Sequence, residues 1–201
     1  MVKNWTYKTP GIPDEAFNQS ETIPGPTKEE IRVITIAKAR LSEGDVVVDV
    51  GCGTGGLTVE AALQIGGKGR VYAIDEDIGA VDLTKSNAAK FGVENSVIVT
   101  KGKAPEALLA LPIADVVFVG GGGVSLRAII QTVHYKLRAG GRIVINAILL
   151  ETATVAMAEL KALGYRDIDV VNVLVAKGKQ INSGTMMLAR NPVTIVSATK
   201  L

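Results

Sequence analysis

Apolar residues fall along this chain in two rhythms: short unbroken runs, and longer stretches in which they recur every three or four positions. The runs at 46–50, 70–74, 97–100, 114–119 and 142–146 carry few polar residues, as strands covered on both faces do. Between them, 27–41, 57–65, 78–91, 124–137 and 152–163 repeat at helical spacing, with a shorter helical piece at 105–111, and Gly92 and Gly164 stand where two of these helices should stop. Thr27 followed by Glu30 has the form of a capping box for the first helix. The alternation predicts an α/β protein with a mostly parallel sheet. Near the C-terminus, 167–175 and 185–198 alternate as strands about a polar link at 177–184, which is too short for a crossover and implies antiparallel pairing if the two are neighbours. Pro192 places a bulge or boundary near Arg190 and Asn191.

The most specific chemistry sits where the first strand meets its helix. Val46-Val47-Val48-Asp49-Val50 runs into Gly51-Cys52-Gly53-Thr54-Gly55-Gly56, so Gly51, Gly53 and Gly56 satisfy a G-x-G-x-x-G spacing. Glycines let the backbone turn sharply and approach a ligand, and the free N–H groups of the helix start favour acceptors. Asp75 ends the next strand, 24 residues after Gly51, where a carboxylate meets the ribose hydroxyls of a dinucleotide or of S-adenosylmethionine alike. The wording D-V-G-C-G-T-G, and the lack of a second half large enough for a dehydrogenase substrate domain, tilt the choice. The stretch resembles motif I of the class I S-adenosylmethionine-dependent methyltransferases. That resemblance implies a seven-stranded Rossmann-like sheet with an antiparallel C-terminal hairpin, the 51–55 backbone against the methionine part of the cofactor, and Asp75 on its ribose. For Asp49, ordering of the loop and direct ligand contact both stand open.

Size and charge narrow the partners. With 201 residues, 47% of them hydrophobic, the chain can bury one substantial core, and residues 1–201 read as a single domain preceded by an extended 1–26 segment that contributes to the site. No apolar run is long enough to span a bilayer, the first residues lack a signal-peptide core, and Cys52 is the sole cysteine, so a cytoplasmic protein without membrane partner or disulfide is expected. The net charge of +2 and only 4% aromatics give neither the basic footprint nor the stacking platform of a nucleic-acid binder. His134 is alone and reads as a packed or surface helix residue, so no metal site is expected.

Further motifs sharpen the resemblance. Gly11-Ile12-Pro13-Asp14-Glu15-Ala16-Phe17 and Pro26-Thr27-Lys28-Glu29-Glu30-Ile31-Arg32 lie ahead of the glycine turn; Phe118-Val119-Gly120-Gly121-Gly122-Gly123 and Arg142-Ile143-Val144-Ile145-Asn146-Ala147 follow it. Together they are similar to the decarboxylating precorrin (carbon-15) methyltransferases of cobalamin biosynthesis over nearly the whole chain. The resemblance implies methyl transfer from S-adenosylmethionine to carbon-15 of a precorrin or cobalt-precorrin with loss of carbon dioxide from the ring C acetate, S-adenosylhomocysteine as by-product, and a homotetramer. Carried over by position, Thr27, Gly51, Cys52, Gly53, Thr54, Gly55, Asp75 and Ala104 are the expected cofactor contacts. Lys103 stands where many members carry an acid, and so faces solvent or a substrate acid.

A broad macrocycle edged with acids asks for an apolar pocket with cations at its rim. Lys28, Arg32, Lys103 and Arg127 are the candidate cations; Gly121 and Gly122 offer a loop without side chains, and Asn146 a polar group at the strand's carboxyl end. No catalytic acid or base is assigned. Motif I alone would also suit a methyltransferase of tRNA, other nucleic acid or protein, although no Asp/Asn-Pro-Pro-aromatic element follows the fourth strand. A noncatalytic subunit retaining the pocket is the third reading.

Overall fold

In the computed structural model, residues 5–120 and 123–201 are described. Strands β1 (Val46–Val50), β2 (Arg70–Asp75), β3 (Val97–Lys101), β4 (Ala114–Gly120) and β5 (Leu137–Ala147) alternate with helices. Those helices are α1 (Glu29–Ala39), α2 (Gly56–Ile65), α3 (Ile78–Lys90), α4 (Leu126–Lys136) and α5 (Leu150–Ala162). The chain then runs through β6 (Arg166–Val173), β7 (Ala176–Ile181), β8 (Gly184–Ala189) and β9 (Val193–Thr199). Seven strands form one sheet in the order β3-β2-β1-β4-β5-β9-β6. The pairs from β3 to β5 are parallel, as helical crossovers require, and β9 inserts antiparallel to both β5 and β6.

Alternation along the strands builds a core on each face. Val48, Val50, Val117, Val119, Ile143 and Ile145 point to the side covered by α4 and α5. Val47, Val116, Phe118 and Val144 point to the other, where α1, α2 and α3 pack with Ile12 and Phe17 of the N-terminal segment. The inner strands are therefore apolar at nearly every position, which is why they are unmistakable in sequence. No helix among the described residues is long and apolar enough to cross a membrane.

The short helix expected at 105–111 is present as a 3-10 helix, Glu106–Ala110. Three expectations are corrected. β5 begins at Leu137, five residues earlier than its apolar run, because Leu137 pairs with Ala114 ahead of an irregularity that contains Gly140 and Gly141. The polar link at 177–184 is itself structured: Lys177 to Ile181 belong to β7, which pairs with β8 in a separate two-stranded ribbon. The closing antiparallel pair is thus β6 with β9, and the expected 185–198 strand breaks at Arg190–Pro192, where the sequence had placed its boundary.

The third concerns Thr27, which forms no capping box. α1 starts at Glu29 with Lys28 in the cap position and no side-chain cap bond. The N–H of Glu29 donates instead to Asp14 Oδ1 at 2.9 Å, a cap supplied from 15 residues upstream. Thr27 is held by its carbonyl, which accepts from Arg32 Nη1.

Candidate active site

The glycine turn leaves β1 at the carboxyl edge of the sheet. Gly51, Gly53 and Gly55 have φ of +76°, +55° and +82°, a left-handed path open to glycine at little cost. The Gly51 N–H donates to Ile74 O at 2.9 Å and the Gly55 N–H to Cys52 O at 2.8 Å, so the turn is anchored on β2 and on itself. A Cβ on Gly51 would lie 2.8 Å from Gly120 O at the end of β4, which makes this a close backbone crossing as well as a turn.

Polar side chains from α3 fix the loop from below. Thr84 Oγ1 donates to Gly53 O at 2.9 Å, and Asn87 Nδ2 donates to Thr54 O at 2.8 Å. Both are fully buried and three residues apart, on one face of the helix. That spacing was visible in the sequence, and these are positioning residues that pattern reading overlooked.

Asp75 lies at the end of β2 beside the turn. Its Oδ2 accepts from Gly53 N–H at 2.9 Å and its Oδ1 from Asp77 N–H at 3.0 Å. Each carboxylate oxygen keeps a further lone pair for a hydroxyl donor. Gly102 N–H donates to Asp75 O at 2.8 Å, which brings the half-buried Ala104 to the same edge. The neighbouring Lys103 is largely exposed, 3.8 Å from Glu76.

Burial shifts two titratable groups, Asp49 near the end of β1 and Cys52 in the turn, toward their neutral forms. Burial pushes the Asp49 carboxyl up to about 6, with nearby Asp75 adding to the rise and the Thr58 hydroxyl, which donates to it at 2.5 Å, opposing it. Burial, reinforced by Asp49, raises the Cys52 thiol to about 12, so it stays protonated and is no nucleophile.

The N-terminal segment straps the turn from above. Thr54 Oγ1 donates to Pro24 O at 3.1 Å, a Cβ on Gly53 would stand 3.2 Å from that same carbonyl, and a Cβ on Gly56 would stand 3.1 Å from Pro26 Cβ. Thr27, half-buried, follows directly. The strap is tied to the body by Arg32, which overturns the expectation that Arg32 is a rim cation. Its side chain is 0% exposed, pairs with Asp14 at 2.8 Å and Glu60 at 2.9 Å, lies over the Phe17 ring, and donates to the carbonyls of Ile12 and Thr27. Glu60 in turn accepts from the N–H groups of Gly11 and Ile12. With so many acceptors converging on it, the guanidinium is spent on structure.

The other candidate acceptor-side residues are spread along the same edge. Lys28 is half exposed, 3.8 Å from Asp14. Asn146 pairs in register with Gly120 and its amide oxygen lies 3.0 Å from Thr35 Oγ1 of α1. Arg127, on the first turn of α4, is 63% exposed and meets the buried Glu159 at 2.7 Å. Gly121 and Gly122 lie outside the described residues.

The sheet order, with a glycine turn after β1 and a carboxylate closing β2, defines a class I methyltransferase. Residues 15–200 match the precorrin methyltransferase domain family, and the chain belongs to that family. A Saccharolobus solfataricus relative named probable cobalt-precorrin-6B C(15)-methyltransferase (decarboxylating) is 46% identical over 98% of both chains. The crystal structure of a Methanobacterium thermoautotrophicum protein described as precorrin 8W decarboxylase superposes with a TM-score of 0.87 at 42% identity, covering 93% of this chain and 98% of that one. A Geobacter metallireducens precorrin-6Y C5,15-methyltransferase gives 0.88 at 35% identity, over 96% and 100%.

Proposed function

We propose that this protein transfers a methyl group from S-adenosylmethionine to carbon-15 of a cobalt-precorrin or precorrin and releases the ring C acetate carboxyl as carbon dioxide, a step of cobalamin biosynthesis. The observation that carries the reading is the fit of the β1–β2 edge to such a cofactor. A side-chain-free left-handed turn sits beside a carboxylate that is anchored by two backbone N–H groups yet retains acceptor capacity. Gly51, Cys52, Gly53, Thr54 and Gly55 would hold the methionine end, Asp75 would accept from the ribose hydroxyls, and the main chain of Ala104 would read the adenine edge, with Thr27 closing from the strap.

The sulfonium brings an already activated methyl, so the chain's work is alignment and exclusion of water. The glycine turn fixes one reactant. The strap, clamped by Arg32, Asp14 and Glu60, shuts water out above the turn. The neutral Cys52 thiol keeps a competing nucleophile away from an electrophilic methyl. Lys28 and Arg127 would meet acid groups of the macrocycle, with Asn146 at the strand end between them.

We further read residues 1–201 as one domain acting in the cytoplasm without membrane or nucleic-acid partner, the last supported by the net charge of +2. We also read the protein as a homotetramer, because Ile181, Met186, Met187 and Leu188 of the β7–β8 ribbon are uncovered within one copy. The test of function is incubation with labelled S-adenosylmethionine and cobalt-precorrin-6B. Mass analysis should find one methyl gained and one carbon dioxide lost, and Asp75→Ala should lose cofactor binding by calorimetry. Unchanged macrocycle mass with the parent protein, or unchanged cofactor affinity in the variant, would sink the respective part.

A further inference from the structure

Four large apolar side chains stand uncovered at the carboxyl ends of β4 and β5. Ile148, Leu149 and Leu150 follow β5 at 70%, 63% and 78% exposure, and Val124, between β4 and α4, is exposed completely. The ends of the two strands are held side by side by the pairing of Gly120 with Asn146, and α4 and α5, which start from them, pack on one another. The four side chains therefore share one border of the sheet. It is the border that adjoins the glycine turn, since Gly120 lies against Gly51.

The core does not account for them. α4 already buries Leu126, Ile129, Ile130 and Val133, and α5 buries Ala153, Ala156 and Leu160, so both helices are seated without help from this row. A run of large apolar groups left in water beside a site costs solubility and stability unless something covers it in use. The surrounding polarity says what. α5 has no side-chain cap at Leu149, so the N–H groups of its first turn are available to acceptors. Arg127 keeps guanidinium donors beyond the one engaged by Glu159. An apolar floor bordered by N–H donors and a guanidinium complements a broad ring with apolar faces and an acid periphery.

Resting on the function proposed above, we infer that Val124, Ile148, Leu149 and Leu150 form the platform that receives the face of the macrocycle and so select the acceptor. The row binds substrate and takes no part in holding the cofactor. Paired Leu149→Gln and Leu150→Gln substitutions, and separately Val124→Gln, alter exposed positions and leave the core untouched. With cobalt-precorrin-6B as substrate, each variant should raise KM at least tenfold while calorimetry finds the S-adenosylmethionine Kd within twofold of the parent. A KM within twofold of the parent overturns the platform and leaves the proposed reaction standing. A parent that binds cofactor but leaves the macrocycle unchanged overturns the reaction and the platform with it. A change in assembly state of the variants by light scattering would assign the row to a contact between copies, and would also overturn the platform.

Discussion

Replacing Arg32 by Met separates two roles that a basic residue at this position could have. Methionine keeps the length and most of the volume of the side chain, so the change is one of charge and hydrogen bonding rather than of packing. It leaves Glu60, 1% exposed, and Asp14, 13% exposed, without the cation that pairs them, and it orphans the carbonyls of Ile12 and Thr27. Breaking a buried pair from one side costs about 3–5 kcal/mol, because the remaining charge stays desolvated. For a chain of this size that is a fall in Tm of roughly 6–20 °C. Urea unfolding monitored by circular dichroism should show a lower midpoint at unchanged slope, and Glu60→Gln added to Arg32→Met should recover about 0.5–3 kcal/mol, the coupling expected of contacting residues. Since the strap lies on the glycine turn, cofactor affinity should fall alongside. A loss below ~1 kcal/mol, with KM for the macrocycle raised instead, would refute the clamp and restore Arg32 to the pocket rim.

Three further outcomes are expected. Asp49 holds its proton to about 6 in the fold against an ordinary value of 3.8, so its neutral form favours the folded state at low pH and stability falls as pH rises through 6, by about 3 kcal/mol. Asp49→Asn should flatten that slope between about pH 4 and pH 7, and a parallel profile would count against it. Gly51→Ala forces a side chain into a left-handed backbone 2.8 Å from Gly120 O, which should cost on the order of 1–3 kcal/mol in denaturant titration and weaken cofactor binding at least tenfold, whereas parent-like values in both would remove the close crossing from the argument. Light scattering should return four copies per particle, reduced by Met187→Asp on the ribbon; a monomer at micromolar concentration would overturn the assembly.

Legibility followed burial. β1, β2 and β4 are within a residue of their expected bounds because both faces are covered and almost every position had to be apolar. The first five residues of β5 and the whole of β7 escaped because they carry Gly140, which has no side chain, and Arg138, Lys177 and Lys179, whose side chains reach solvent, so they leave no periodic apolar mark. The glycine turn and Asp75 were readable as neighbours because their geometry is local: a turn and one carboxylate, each tied to the end of its own strand. Arg32 was misread for the opposite reason. Its fate depends on Asp14, 18 residues before it, and Glu60, 28 after it, and nothing in the neighbourhood of Arg32 announces that two carboxylates will meet there. Thr27 shows the same limit on a smaller scale, since a competing cap arrived from Asp14 and claimed the helix start.

The position of β9 carries a consequence for biosynthesis. Residues 193–199 fill the gap between β5 and β6, two strands translated well before them. Until those residues leave the ribosome, β5 and β6 each present an open edge with Val144, Ile145 and Val170 in reach of other nascent chains. The sheet therefore closes only after residues 193–199 have been made. A stop codon placed just ahead of β9 would spare every residue proposed to hold the cofactor and yet release a product with two sticky edges, one that is cleared or aggregates before its intact glycine turn is of any use.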